Sequence, residues 1–166
     1  KLAGTFFVLG NRLQQRRDAG MPNTVARLYR GQCVGIQGWE YRSHAQWVDW
    51  QDSLRRSQAR VQADLPEQYV PLFRPPYGQR RADGEAFMAS QQLRVSLWDI
   101  DAQDDTALTA EASAQRVLTL MLLWRKGVIQ LHDSLAKAQP AVEWLLRSTA
   151  QSGIGWEDCR AYGYSE

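Results

Sequence analysis

The strand-like run Gly127-Val128-Ile129-Gln130-Leu131-His132-Asp133 ends on a histidine, and a histidine at the mouth of a strand can serve as a general acid. Taken alone it could as well be a partly buried hydrogen-bonder. A second segment, Leu97-Trp98-Asp99-Ile100-Asp101-Ala102-Gln103-Asp104, places three carboxylates just past an apolar stretch. Crowded carboxylates raise one another's pKa and suit binding or acid–base work, although aspartates in loops also cap helices and form turns. A third segment, Phe73-Arg74-Pro75-Pro76-Tyr77-Gly78, has two prolines that fix the backbone after a strand. Tyr77-Gly78 can then present a main-chain N–H to a ligand oxygen, or the tyrosine can simply pack over a rigid turn.

These segments need a framework, and the chain supplies one by alternating short apolar strands with longer helical patterns, the mark of repeated βα units around a parallel sheet. The pattern predicts strands near 5–9, 33–37, 70–73, 93–99 and 127–132, with a weaker one near 159–162. Trp47, Trp50, Leu54, Val61 and Leu65 fall at helical spacing and form one apolar stripe. A further helix is expected over Ala110–Trp124, with Val117, Leu118, Met121 and Trp124 on one side, ending before Gly127. The last helix starts around Pro140, carries Val142, Leu145 and Leu146 inward, and is stopped by Gly153.

The chain has 166 residues, with 20 basic and 18 acidic side chains spread along its length for a net charge of +2. That length suits one well-buried domain over 1–166, and no face is marked out for nucleic acid or an anionic membrane. No apolar stretch approaches the roughly 20 residues of a membrane span, and the densest, Val117–Trp124, reads as a buried helix flank. Cys33 and Cys159 fit neither a CxxC motif nor a zinc ribbon. Buried free thiols are the expectation, with a disulfide neither asserted nor excluded.

Read in order, these segments resemble the NodB-type polysaccharide deacetylases of carbohydrate esterase family 4. Thr5–Gly10 looks like the strand after that family's opening catalytic motif, and Gly35-Ile36-Gln37-Gly38-Trp39-Glu40-Tyr41 looks like its metal-binding loop. Phe73–Gly78, Trp98–Asp104 and Val128–Asp133 are similar to its third, fourth and fifth motifs. The resemblance implies an α/β fold, a distorted (β/α) barrel of the NodB type, with the first strand and its two aspartates lying before Lys1. It also implies a hydrolase of N-acetyl groups on a glycan.

The resemblance implies roles for single residues as well. Arg74 would orient the catalytic base, the backbone of Tyr77 would face the oxyanion, and Asp99 with His132 would form a carboxylate-supported acid whose imidazolium is favoured. Trp39 and Trp98 would offer rings to a sugar. Gln130 stands where the family has an apolar residue against the acetyl methyl, and Ala102 and Asp105 also depart from the fourth motif. The family holds a divalent metal such as zinc with two histidines at the positions of Gln37 and Tyr41. An amide and a phenol are weak ligands beside imidazole, so no cofactor is expected. His44 is off register and reads as a surface or capping residue.

Three functions follow as expectations: a deacetylase-like domain with weak or no metal-dependent hydrolysis; a non-catalytic carbohydrate-binding or scaffolding module of the cell envelope; or a chain that self-associates through an open barrel edge to regain a strand. The partner in the first two is an N-acetylated polysaccharide or oligosaccharide, met outside the cytoplasm.

Overall fold

A computed structural model describes residues 2–162. They form two compact units, one built from residues up to Ser96 together with those from Trp156 onward, the other from Leu97–Gly155.

The first unit is a four-stranded parallel sheet in the order β1 (Thr5–Val8), β2 (Cys33–Ile36), β3 (Tyr69–Phe73), β4 (Arg94–Val95). The connections carry α1 (Gly10–Asp18), α2 (Pro22–Leu28), α3 (Trp50–Asp64) and α4 (Glu85–Ser90). Strand alternation sends Val34 and Ile36 to one face, where they meet Leu13, Leu54, Val61, Leu65, Phe73, Met88 and Leu93 in the main core. Burying a Leu or Val side chain fully is worth about 1.5–3 kcal/mol. The α3 stripe is therefore a main attachment of helix to sheet. Leu54, Val61 and Leu65 are almost wholly buried, as their spacing demands, while Trp47 lies in the turn before the helix.

The opposite sheet face carries Cys33, Val70 and Leu72, and a short helix, α7 (Cys159–Tyr162), packs on it. The weak strand expected at 159–162 is this helix. Its Cys159 forms a disulfide with Cys33 of β2 across a Cα separation of 6.0 Å. The two thiols are thus bonded and not free, because β2 and α7 meet face to face over a separation of 126 residues. The cross-link is sealed in apolar surroundings, with Cys33 and Cys159 both nearly inaccessible.

The second unit holds a two-stranded parallel sheet of β5 (Ile100–Asp101) and β6 (Ile129–Gln130), with α5 (Ala110–Trp124) and α6 (Ala138–Thr149) packed on one another. The strand expected at 93–99 ends early. After Val95, the Ser96 N–H makes one last bond to the Phe73 carbonyl (2.8 Å), and pairing resumes only at Ile100. Thr109 caps α5 by accepting from the Ala112 N–H (3.1 Å), and Arg125 ends it in the left-handed region at φ 68°. Val117 of α5 is fully buried, but Leu122, Leu123 and Trp124 are exposed, contrary to the buried flank their hydropathy suggested. The α6 helix does carry Pro140 in its first turn and buries Leu145, with Gly153 following it at φ 77°. No helix among the described residues is long and apolar enough to cross a membrane.

Candidate functional site

Gln37, Trp39, Tyr41 and His44 follow β2 within the first unit. The Gln37 N–H donates to the Val8 carbonyl (2.9 Å), extending the sheet by one bond. The Trp39 N–H donates to Ser53 Oγ (2.8 Å), and its carbonyl accepts from Asn11. The Arg56 guanidinium lies 3.8 Å over the Trp39 ring, and Gly10 approaches so closely that a Cβ there would meet Trp39 Cε3 at 2.5 Å. Trp39 is thus a half-buried ring packed between α1 and α3, with Arg56 over it.

The expectation for His44 is corrected. It is fully buried, with Nδ1 2.9 Å from the Arg42 carbonyl and Nε2 2.9 Å from Ser53 Oγ. A carbonyl can only accept, so Nδ1 carries the proton and Nε2 accepts from the Ser53 hydroxyl, which in turn accepts from Trp39. Phe73 and Trp47 pack against the ring in T-shaped contacts, with centroids 5.3 and 5.1 Å away. Burial pushes the His44 imidazole below its ordinary pKa, and the nearby Arg42 charge pushes the same way. The only imidazole near the second-motif positions is therefore committed at both nitrogens.

Arg74 leaves β3 with its N–H on the Ile36 carbonyl and its Nε donating to the Ser96 carbonyl (3.1 Å). Its guanidinium lies 4.3 Å over the Phe7 ring. Burial lowers its pKa to about 10, with Tyr162 opposing that shift. Pro75 and Pro76 are buried, and they project Tyr77 outward in the left-handed region at φ 59°. Tyr77 is 62% exposed, and its ring centroid stands 4.9 Å from that of Tyr41, itself 45% exposed, at an interplanar angle of 60°. An aromatic pair therefore brings the second and third motif segments together. Beside β3 and β4 lies a cavity of about 590 Å³ floored by Leu54, Phe73, Met88 and Leu93, with Arg80 and Arg94 among its lining residues.

The other candidate residues lie in the second unit. His132 is held by Asp104, not by Asp99. Asp104 is fully buried; its Oδ2 accepts the His132 main-chain N–H and its Oδ1 faces His132 Nδ1, both at 2.7 Å. Register explains the correction. Ile100 pairs with Ile129, so Asp99 stands level with Val128, on the order of 13 Å down the strand from His132. Asp99 Oδ2 instead accepts the Val128 N–H (2.7 Å), and Asp101 Oδ1 accepts the Gln103 N–H (2.9 Å). Of the three expected carboxylates, Asp101 closes a local turn, Asp99 bonds across to the neighbouring segment, and Asp104 is the histidine's partner. Lys137 fixes the intervening loop by donating to the Thr106 and Leu108 carbonyls (2.6 and 2.8 Å). Trp98 and Gln130 are half-buried at the starts and ends of this strand pair.

With Nδ1–H on a buried carboxylate, His132 keeps its tautomer and leaves Nε2 to exchange a proton. Asp105 adds a third ligand-type side chain, and the three groups offer atoms within 4.8 Å of one another. Each Asp104 oxygen already accepts one bond from His132, so a cation there would have to share the remaining lone pairs of those oxygens. The donors Gln37 and Tyr41 do not fit the zinc-like ion that the fold implies: neither is anionic at neutral pH nor a nitrogen base, and the adjacent imidazole is engaged. Sequence reading missed the Asp104–His132 pair and the Tyr41–Tyr77 contact. Only the order Asp101-x-x-Asp104 after the strand could have pointed to the former.

No protein-family model matches the chain. Solved structures do match it. A family 4 carbohydrate esterase from Streptomyces lividans, in complex with acetate, aligns over 92% of this chain and 76% of its own, with 25% identity and a TM-score of 0.74. The peptidoglycan deacetylase PdaC from Bacillus subtilis aligns over 91% of this chain and 71% of its own, with 22% identity and a TM-score of 0.69. A family 4 pseudoenzyme from Bacillus anthracis aligns over 92% of this chain at 18% identity and a TM-score of 0.73, and the chain spans about half (52%) of that protein's length. The structure has the α/β fold of the NodB-type polysaccharide deacetylases, and its structural neighbours are members of carbohydrate esterase family 4.

Proposed function

We propose that the two units together make one deacetylase-like domain that recognises an N-acetylated glycan and carries out weak or no metal-dependent hydrolysis. The observation that carries this reading is the engagement of His44 at both ring nitrogens beside Gln37 and Tyr41, which leaves the metal-binding loop without an available imidazole. What persists is a positioned proton donor or acceptor, His132 on Asp104, and the Arg74 and Tyr77 turn. Metal analysis of the purified chain, paired with acetate release from an N-acetylglucosamine oligomer, tests this. Background acetate and sub-stoichiometric metal are expected, whereas stoichiometric zinc, cobalt or nickel with steady acetate release would overturn it. The double substitution Gln37→His with Tyr41→His should raise zinc affinity. One neighbour is a mutant of the B. anthracis pseudoenzyme with restored enzymatic activity, which supports asking that question here.

The Tyr41–Tyr77 pair favours a second reading, a carbohydrate-binding module. Two exposed aromatic rings set at an angle offer apolar faces to a pyranose, a role the sequence had assigned to Trp39 and Trp98. Titration with an N-acetylglucosamine tetramer should quench or shift tryptophan emission, and Tyr41→Ala with Tyr77→Ala should weaken binding by about tenfold or more. No response of the unsubstituted chain at millimolar tetramer would remove this reading. The buried disulfide supports residence in an oxidising compartment such as the cell envelope. Because β1 is the last strand of its sheet, self-association through that edge is a third arrangement, checked by light scattering.

A further inference from the structure

The α4 helix has only six residues and buries a single side chain, Met88, while both residues of β4 are exposed. A helix about 9 Å long leaves part of the space between α3 and the β3–β4 edge unfilled. The result is the cavity of about 590 Å³ described above, whose lining residues all belong to the first unit. Its floor of Leu54, Phe73, Met88 and Leu93 is buried and apolar. Trp50 forms a wall, held by a T-shaped contact with Phe87 (centroids 5.1 Å apart) and by Gly84, where a Cβ would lie 3.4 Å from Trp50 Cη2. His44 also lines the cavity, with both ring nitrogens already bonded elsewhere.

The mouth has the opposite character. Arg80, Arg81 and Arg94 line it against one acid, Glu85. The Arg81 charge is matched by Asp83, which accepts from it at 3.0 and 3.1 Å. Arg80 gives one nitrogen to the Gly78 carbonyl (3.3 Å) and, like Arg94, is exposed. A guanidinium carries five N–H donors, so that single bond leaves Arg80 able to grip a carboxylate. Two arginines facing one glutamate give the mouth an excess of positive charge above an apolar floor, and the volume lies within the roughly 300–1,000 Å³ of small-molecule sites. An apolar body suits the floor and an anionic head suits the mouth, whereas a cationic head would meet like charge. We propose that this cavity binds a small organic carboxylate bearing a medium-length alkyl chain. The inference does not rest on either reading of the glycan site, and its test uses neither metal nor sugar.

Isothermal titration of the full chain with decanoate, decanol and decyltrimethylammonium tests it, since the three share a tail and differ in the head. Decanoate should bind one to one, decanol about tenfold or more weakly, and the cation not measurably, because a hydrogen bond to a charged group is the stronger kind. Arg80→Gln with Arg94→Gln, both at exposed positions, should bring decanoate down to the decanol level and leave decanol unchanged. Ala89→Trp, at an exposed lining position, should fill the opening and abolish binding of both. Trp50→Phe should remove a decanoate-induced change in tryptophan emission while the heat of binding persists. The head-group series on the unsubstituted chain stands even if a variant fails to fold. No heat from millimolar decanoate, equal affinities for decanoate and decanol, or decanoate binding that survives in folded Ala89→Trp would each overturn the proposal.

Discussion

Asp104 and His132 meet twice, through the backbone N–H and through Nδ1, both at 2.7 Å, and the carboxylate that does this has no solvent exposure. A buried carboxyl group with its described partners on one residue couples the β5 and β6 ends of the second unit.

Removing that carboxylate should therefore be felt in folding before it is felt in any chemistry. Asp104→Ala leaves the His132 N–H without its acceptor and is expected to cost about 3 kcal/mol, while Asp104→Asn, which can keep one bond, should cost less than half of that. Urea denaturation of the two variants gives the comparison. Equal losses would argue against a charge-assisted pair.

His44 makes stability depend on pH. Its imidazole is pushed below the ordinary value of 6.5 by burial, so below that pH the unfolded chain binds the proton more readily than the folded one. The contribution is fully present above pH 6.5 and is lost as the pH falls through the window beneath it. Denaturation midpoints between pH 7.5 and 5 should decline, and the decline should be shallower in His44→Gln. Parallel profiles for the two proteins would show that another group is responsible.

Reduction of the Cys33–Cys159 bond should destabilise the first unit. In the chain-entropy treatment a loop of this length is worth about 4–5 kcal/mol, which for a chain of this size corresponds to a fall in Tm of roughly 10 °C or more. Cys33→Ser with Cys159→Ser should reproduce the melting curve seen with reductant. A reductant-insensitive melt would contradict a formed bond.

Gly38 is held at φ +96°, and a Cβ there would sit 2.5 Å from His44 Cε1. Gly38→Ala should cost about 2–3 kcal/mol through backbone strain and the clash together. Gly153→Ala, also at positive φ but with open space around it, should cost only the strain, about 1 kcal/mol. Thermal melts of the two variants separate these terms.

Much of the helical framework was legible because its signals are local. The α5 boundaries, Ala110–Trp124, and the α3 stripe of Leu54, Val61 and Leu65 follow from helical period, caps and a following glycine, all contained within one segment. The run at 93–99 misled because apolar residues at strand spacing do not say with what they pair. Val95 and Leu97 each remain 37% exposed, and the ladder passes to Ile100. The same limit governs the site. Asp104 rather than Asp99 serves His132 because of a register between segments 28 residues apart, and the Cys33–Cys159 bond depends on which sheet face α7 covers. His44 was misplaced for a related reason: its burial comes from Phe73 and Ser53, neither of which is near it in the chain's local pattern. The substitutions at 37 and 41, by contrast, are plain in the sequence, since identity alone decides ligand strength.

The bond between β2 and α7 has a topological result. Every residue of the second unit, Leu97–Gly155, lies inside the covalent ring closed by Cys33 and Cys159. A protease that nicks any loop of that unit once opens the ring without parting the molecule, so the cut protein keeps its full mass until a reductant is added, and only then yields two fragments.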